Sequence, residues 1–158
     1  MALKPDRVES FTDVSFFMNT TGDRGGVVVY SGAGGVGSSM DDADAVVIYP
    51  TGSPAGTAPA GVLLNDVVNL DLTRQHINWH KDEVQQGGKV TLLQVGQVTT
   101  DSVTGAIAAG EPAFVGASGL FTATAPTDVD SELAQARVGT FLSSRDSDGY
   151  VKVAVNFA

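Results

Sequence analysis

Tyr150-Val-Lys-Val-Ala-Val-Asn-Phe157 keeps a two-residue rhythm over its whole length. Successive side chains on a strand point to opposite faces, so Val151, Val153, Val155 and Phe157 share one side, and Lys152 and Asn156 fall on the other. A strand needs a partner, and the turn pair Asp148-Gly149 just before it predicts a hairpin with Val138-Gly-Thr-Phe-Leu142. The same texture extends back to residue 89. Residues 90–99 and 113–115 are rich in side chains that suit a pleated surface, with Gly, Pro and Asp clustered between them. Ala106-Ile-Ala-Ala-Gly110 and Glu111-Pro112 bend into Ala113-Phe-Val-Gly116, and Ala117-Ser118-Gly119 turns tightly into Leu120-Phe-Thr-Ala-Thr124. Residues 89–157 therefore read as a scaffold of short antiparallel strands.

Composition agrees with an all-β fold containing little helix. The 158 residues suit one domain, and 19 glycines against 7% aromatics point to many turns and closely packed strands. A net charge of −9 with only nine scattered Lys and Arg argues against a nucleic-acid partner, since phosphate contacts need clustered cations. No cysteine is present, which excludes disulfides and thiolate metal sites. Met1-Ala-Leu-Lys-Pro-Asp-Arg lacks the apolar core of a signal peptide, and no run of about 18 apolar residues suggests a membrane span, so synthesis and folding in the cytoplasm are expected.

The first third is less periodic. Val14-Ser-Phe-Phe-Met18 reads as a strand or as an arm lying on another surface. Gly25-Gly-Val-Val-Val-Tyr30 reads as a buried strand, and Ala45-Val-Val-Ile-Tyr49 as a strand with an exposed edge. Between these two, residues 31–39 form a glycine-rich loop. Residues 51–61, with Pro54 and Pro59, read as a linker. This places an arm, a β segment and the linker in residues 1–61 and a barrel-like core in residues 62–158, together one structural unit. Residues 62–72 are expected to be extended, and residues 130–136 to form a helical turn.

No motif yields a persuasive reactive site. Gly32-Ala-Gly34-Gly-Val-Gly37 matches a dinucleotide fingerprint, but the short acidic stretch after it leaves no helix to hold a pyrophosphate. His76 and His80 stand four apart, which suits a shared metal, yet Ile77 occupies the position where a zincin carries its Glu. A subunit contact through His76, Trp79 and His80 is the plainer reading. Asp128-Val-Asp130 and Asp146-Ser-Asp148-Gly149 resemble fragments of calcium loops, but the second runs straight into a strand and reads as a hairpin turn. With no nucleophile elbow and no orienting partner for either histidine, the expectation is a protein that is not an enzyme and carries no cofactor.

Taken together, Gly87-Gly-Lys-Val-Thr-Leu-Leu93, Ala109-Gly-Glu-Pro-Ala-Phe-Val-Gly116 with Leu120-Phe121, and Ala136-Arg-Val-Gly-Thr-Phe-Leu142 before the Val-rich strand resemble the head-decoration, or capsid cement, proteins of tailed bacteriophages. The resemblance implies a compact β-barrel or β-tulip-like domain with an extended N-terminal arm. It also implies a homotrimer bound to the major capsid protein on the outside of the virion head, with no nucleic-acid or membrane partner. Phe16, Phe17, Val47, Tyr49, His76 and Trp79 are then the expected interface residues, and removal of residues 1–21 is expected to leave a folded domain that no longer binds heads. A tail or fibre module of the same particles is the alternative, with a carbohydrate-binding module behind it.

Overall fold

The computed structural model describes residues 3–31, 46–52, 58–65, 88–125 and 137–157. The Gly32 to Gly37 motif, the segment holding His76, Trp79 and His80, the Asp128/Asp130 turn and the helical turn at 130–136 lie outside them. The fold is all-β. Its ten described strands are β1 (Val8–Met18), β2 (Val27–Tyr30), β3 (Val46–Ile48), β4 (Pro59–Leu63), β5 (Lys89–Thr100), β6 (Val103–Thr104), β7 (Pro112–Val115), β8 (Phe121–Thr122), β9 (Gly139–Phe141) and β10 (Val151–Asn156). They hydrogen-bond in the order β1-β3-β2-β4-β5-β10-β9-β7-β8-β6, and an additional β1–β5 pairing closes the first five into a barrel. Strand β5 is therefore common to two lobes: its first half belongs to the barrel, and its second half opens into the sheet that continues through β10. The β1–β3 and β6–β8 pairs are parallel and the others antiparallel. In both parallel pairs the partners are joined by long connections rather than tight turns, as parallel pairing requires.

The apolar side chains form two packed groups on opposite faces of the β2-β4-β5 wall. Phe16, Met18, Val28, Val47, Ala60, Leu63, Val90 and Leu92 fill the barrel. Val27, Val62 and Leu93 point the other way and pack with Val98, Ala113, Val115, Phe121, Phe141, Val151, Val153 and Val155. Strands buried on both faces read as continuous apolar runs, which is why Val27 to Val29 and Val62 to Leu64 show no alternation. Inside β5 the faces exchange at a bulge. Phe11 and Thr12 of β1 face Val95 and Leu93, so Gln94 is an extra residue, and alternation restarts beyond it with Val98 on the second core.

The C-terminal hairpin forms as its sequence predicts. Val153, Ala154 and Val155 pair with Phe141, Thr140 and Gly139, and Val151, Val153 and Val155 are buried. Gly149 adopts the positive φ of 90° that the turn needs. Asp146 fixes the loop: its Oδ1 accepts from the amides of Asp148 at 3.0 Å and Tyr150 at 2.7 Å. The Ala117–Gly119 connection is a short 3-10 turn with Ser118 at φ 57°, where the expected tight turn lies.

Two expectations for the first third are corrected. Residues 8–18 are a barrel strand rather than an extended arm: β1 pairs along β5 and delivers Phe16 and Met18 to the barrel interior. Before it, Leu3 is buried in the second core, and Lys4 donates its amide to the Thr99 carbonyl at 2.9 Å. A folded domain without residues 1–21 would lack a barrel wall. The boundary at residue 61 also falls inside β4, which pairs with both β2 and β5. Pro59 is tolerated because it opens the strand, and Gly61 because a Cβ there would stand 2.9 Å from the Leu93 carbonyl oxygen.

Candidate interaction surface

Two tyrosines mark the ends of the barrel. Tyr30 lies opposite Val47 in the β2–β3 pair and so points to the interior side, where its ring meets the edge of Phe16 at a centroid distance of 5.7 Å and an interplanar angle of 62°. Tyr30 remains 43% exposed, and Val14, in the bulge between Asp13 and Phe16, is 44% exposed. This rim is acidic. Partial burial raises the Tyr30 hydroxyl above its ordinary pKa of 10.0, and the charge of Asp13 adds to the shift. Next to the rim, Lys89 lies over the half-buried Phe17 ring at 5.6 Å.

At the opposite end, Tyr49 joins the two lobes. Its ring lies against the backbones of Gly22, Gly26 and Gly119, close enough that a Cβ at Gly26 would overlap the hydroxyl. Thr20 accepts the Tyr49 amide through Oγ1 at 3.1 Å. Just beyond, Ser118 donates its hydroxyl to the Thr51 carbonyl at 2.9 Å and its amide to the Gly52 carbonyl at 3.1 Å. The Tyr49 hydroxyl is raised above 10.0 by burial first and by the carboxylates of Asp23 and Asp101 second, while a hydrogen bond with Ser102 opposes the shift.

These positions sort the expected interface residues. Phe16 at 6% exposure and Val47 at 0% are barrel core, used within the chain. Tyr49 is spent on the lobe junction, and Phe17 is half-buried beneath Lys89. His76 and Trp79 lie outside the described residues. The large apolar side chains exposed among the described residues are instead Val8, Phe11, Val14, Tyr30 and Leu142. Three of these sit on β1, whose first half breaks the strand rhythm: a run with apolar residues at 8, 11 and 14 offers neither face a continuous apolar stripe.

The acidic turn at Asp146 is occupied by its own loop. Besides the two amides on Oδ1, its Oδ2 faces Lys4 Nζ at 3.4 Å. Its pKa is held below the ordinary 3.8, chiefly by the Tyr150 amide. One oxygen serves the hairpin and the other faces the Lys4 ammonium, so the calcium-loop resemblance has a structural explanation. Among the described residues no three His, Asp or Glu side chains gather to hold a metal, and no helix is long and apolar enough to cross a membrane. Compared with protein-family models and with curated proteins, the chain matches none.

Proposed function

We propose that this chain is a structural protein of a tailed-phage virion, a cement or decoration protein that binds the outside of the head and stabilises its lattice. The observation that carries the reading is the barrel rim. Val14 and Tyr30 project from a frame whose core is already filled, and apolar and aromatic anchors on a rigid support are what a binding surface needs. The acidic composition supports the same role, since a protein present in many copies on a particle must not aggregate free in solution. The motifs around residues 87–93, 109–121 and 136–142 supply the family resemblance; they fall on β5, β7, β8 and β9, the framework rather than the rim.

The test is cosedimentation of the full chain with heads assembled from the major capsid protein encoded by the same genome. Saturable binding, weakened at least about tenfold by Val14→Asp or Tyr30→Ala, is expected of rim anchors. Failure to bind heads overturns the reading, and binding to isolated tails instead would make the chain a tail module.

A further inference from the structure

Residues directly opposite one another in an antiparallel pair share a face. In the second lobe, Gly96, Val98 and Thr100 of β5 lie opposite Val155, Val153 and Val151 and share their core-facing side. The other side of the same strands displays Val95 and Gln97 on β5, Ala154 and Asn156 on β10, and Thr140 on β9. Strand β1 completes this outer face, because Phe11 lies opposite Val95 and Val8 opposite Gln97. No described element covers it. Phe11 and Val8 are 53% and 50% exposed at one margin. At the other margin, a shallow groove of about 370 Å³ runs between β9 and β10, lined by Arg137, Gly139, Thr140, Ala154 and Asn156 among others. The short side chains of Ala154 and Thr140 leave it open, and at one end Arg137 donates Nε to the Gly139 carbonyl at 2.9 Å and Nη2 to Thr140 Oγ1.

The protrusion and the groove lie at the same level along the strands, since Phe11, Val95 and Asn156 form one cross-strand row and the Asn156 amide bonds the Val138 carbonyl beside the groove. Charge is graded the same way: acidic Asp13 belongs to the β1 margin and basic Arg137 to the β9 margin. A surface with a knob and an acid on one side of a line, and a groove and a base on the other, is complementary to itself after a half-turn about that line.

We propose that two copies of this chain pack these outer faces together about a twofold axis running along the strands, with Phe11 of each copy seated in the β9–β10 groove of the other. A cavity of about 150 Å³ already accepts a benzene ring, so the groove has room for the phenyl group. Face-to-face sheets pack about 10 Å apart with their side chains interdigitating, and the short Ala154, Thr140 and Val95 leave room for those of the second copy. The pairing stands whether or not the chain decorates a head, and it differs from the trimer implied by the family resemblance.

Sedimentation equilibrium of the full chain over a range of concentrations tests it. The expected result is a reversible species of twice the chain mass, with association weakened about tenfold or more by Phe11→Asp and, independently, by Ala154→Arg, which fills the groove. Because Phe11 is exposed, Phe11→Asp should melt at the temperature of the unaltered chain at concentrations low enough that both are monomeric, which separates lost pairing from lost folding. A monomer at every concentration, a trimer, or a dimer indifferent to both substitutions would overturn the proposal.

Discussion

At Gly139 the backbones of β9 and β10 approach so closely that a Cβ would overlap the Ala154 carbonyl oxygen. Backbone cannot swing aside as the end of a long side chain can, so Gly139→Ala should destabilise the chain by roughly 1–3 kcal/mol and lower the melting temperature by several degrees, read by thermal denaturation. Tyr49 makes a different kind of prediction. Its folded pKa lies above 10.0, so its contribution to stability is complete below pH 10.0 and is lost as pH rises through the folded value. Tyr49→Phe should flatten the alkaline stability profile above pH 10, and an unchanged slope would assign that loss to Tyr30 or other groups. The cradle of three glycines around Tyr49 was not legible in the sequence. Gly22, Gly26 and Gly119 are far apart along the chain, and in a glycine-rich sequence nothing local distinguishes a glycine under a ring from one in a loop.

Single elements were legible where one strand meets one core. β10 alternates cleanly, buries one face, and announces its hairpin through Asp148-Gly149. Asp146 adds the device that secures the loop. Its lowered pKa means the carboxylate's contribution is present above 3.8 and lost as pH falls from there through the folded value. Amide protection at Asp148 and Tyr150, taken relative to the intrinsic exchange rate at each pH, should therefore fall as the solution is acidified below 3.8, and Asp146→Ala should show low protection at neutral pH as well. β1 shows the opposite case. Its register slips between Glu9 and Phe11, between Phe11 and Thr12, and between Asp13 and Phe16, so its sequence has no period and does not decide between a strand and an arm. Removing residues 1–18 should abolish cooperative unfolding, monitored by near-ultraviolet circular dichroism, because Phe16 and Met18 leave with the strand. A native-like spectrum would restore the arm reading.

For the molecule as a whole, composition and turn spacing disclosed the class, all-β, but not the closure. The β1–β5 seam joins residues such as Phe16 and Val90, and a pairing so distant leaves no local signal in either segment. The two cores follow from the same strand, since Leu92 faces the barrel and Leu93 the second lobe. Leu92→Ala and Leu93→Ala should each cost about 2–5 kcal/mol. With β5 shared, both should shift one common calorimetric transition, whereas two separable transitions would mean lobes that fold independently. The candidate site was less legible than the fold. Aromatic content singled out Phe16 and Tyr49, but only the register shows that one fills the barrel and the other binds the lobes together, leaving Val14 and Tyr30 on the rim.

β1 and β10 flank opposite edges of β5 and run in the same direction, each antiparallel to it. A pull that draws the end of β1 away from the start of β10 acts along the strands, since Phe17 lies opposite Lys89 and Val151 opposite Thr100 at the two ends of β5. It loads both hydrogen-bonded ladders in shear, where many bonds must break at once, rather than peeling them singly from one end. The central strand is then the chain's mechanical clamp, and tension arriving at either margin of the molecule is carried across it in full.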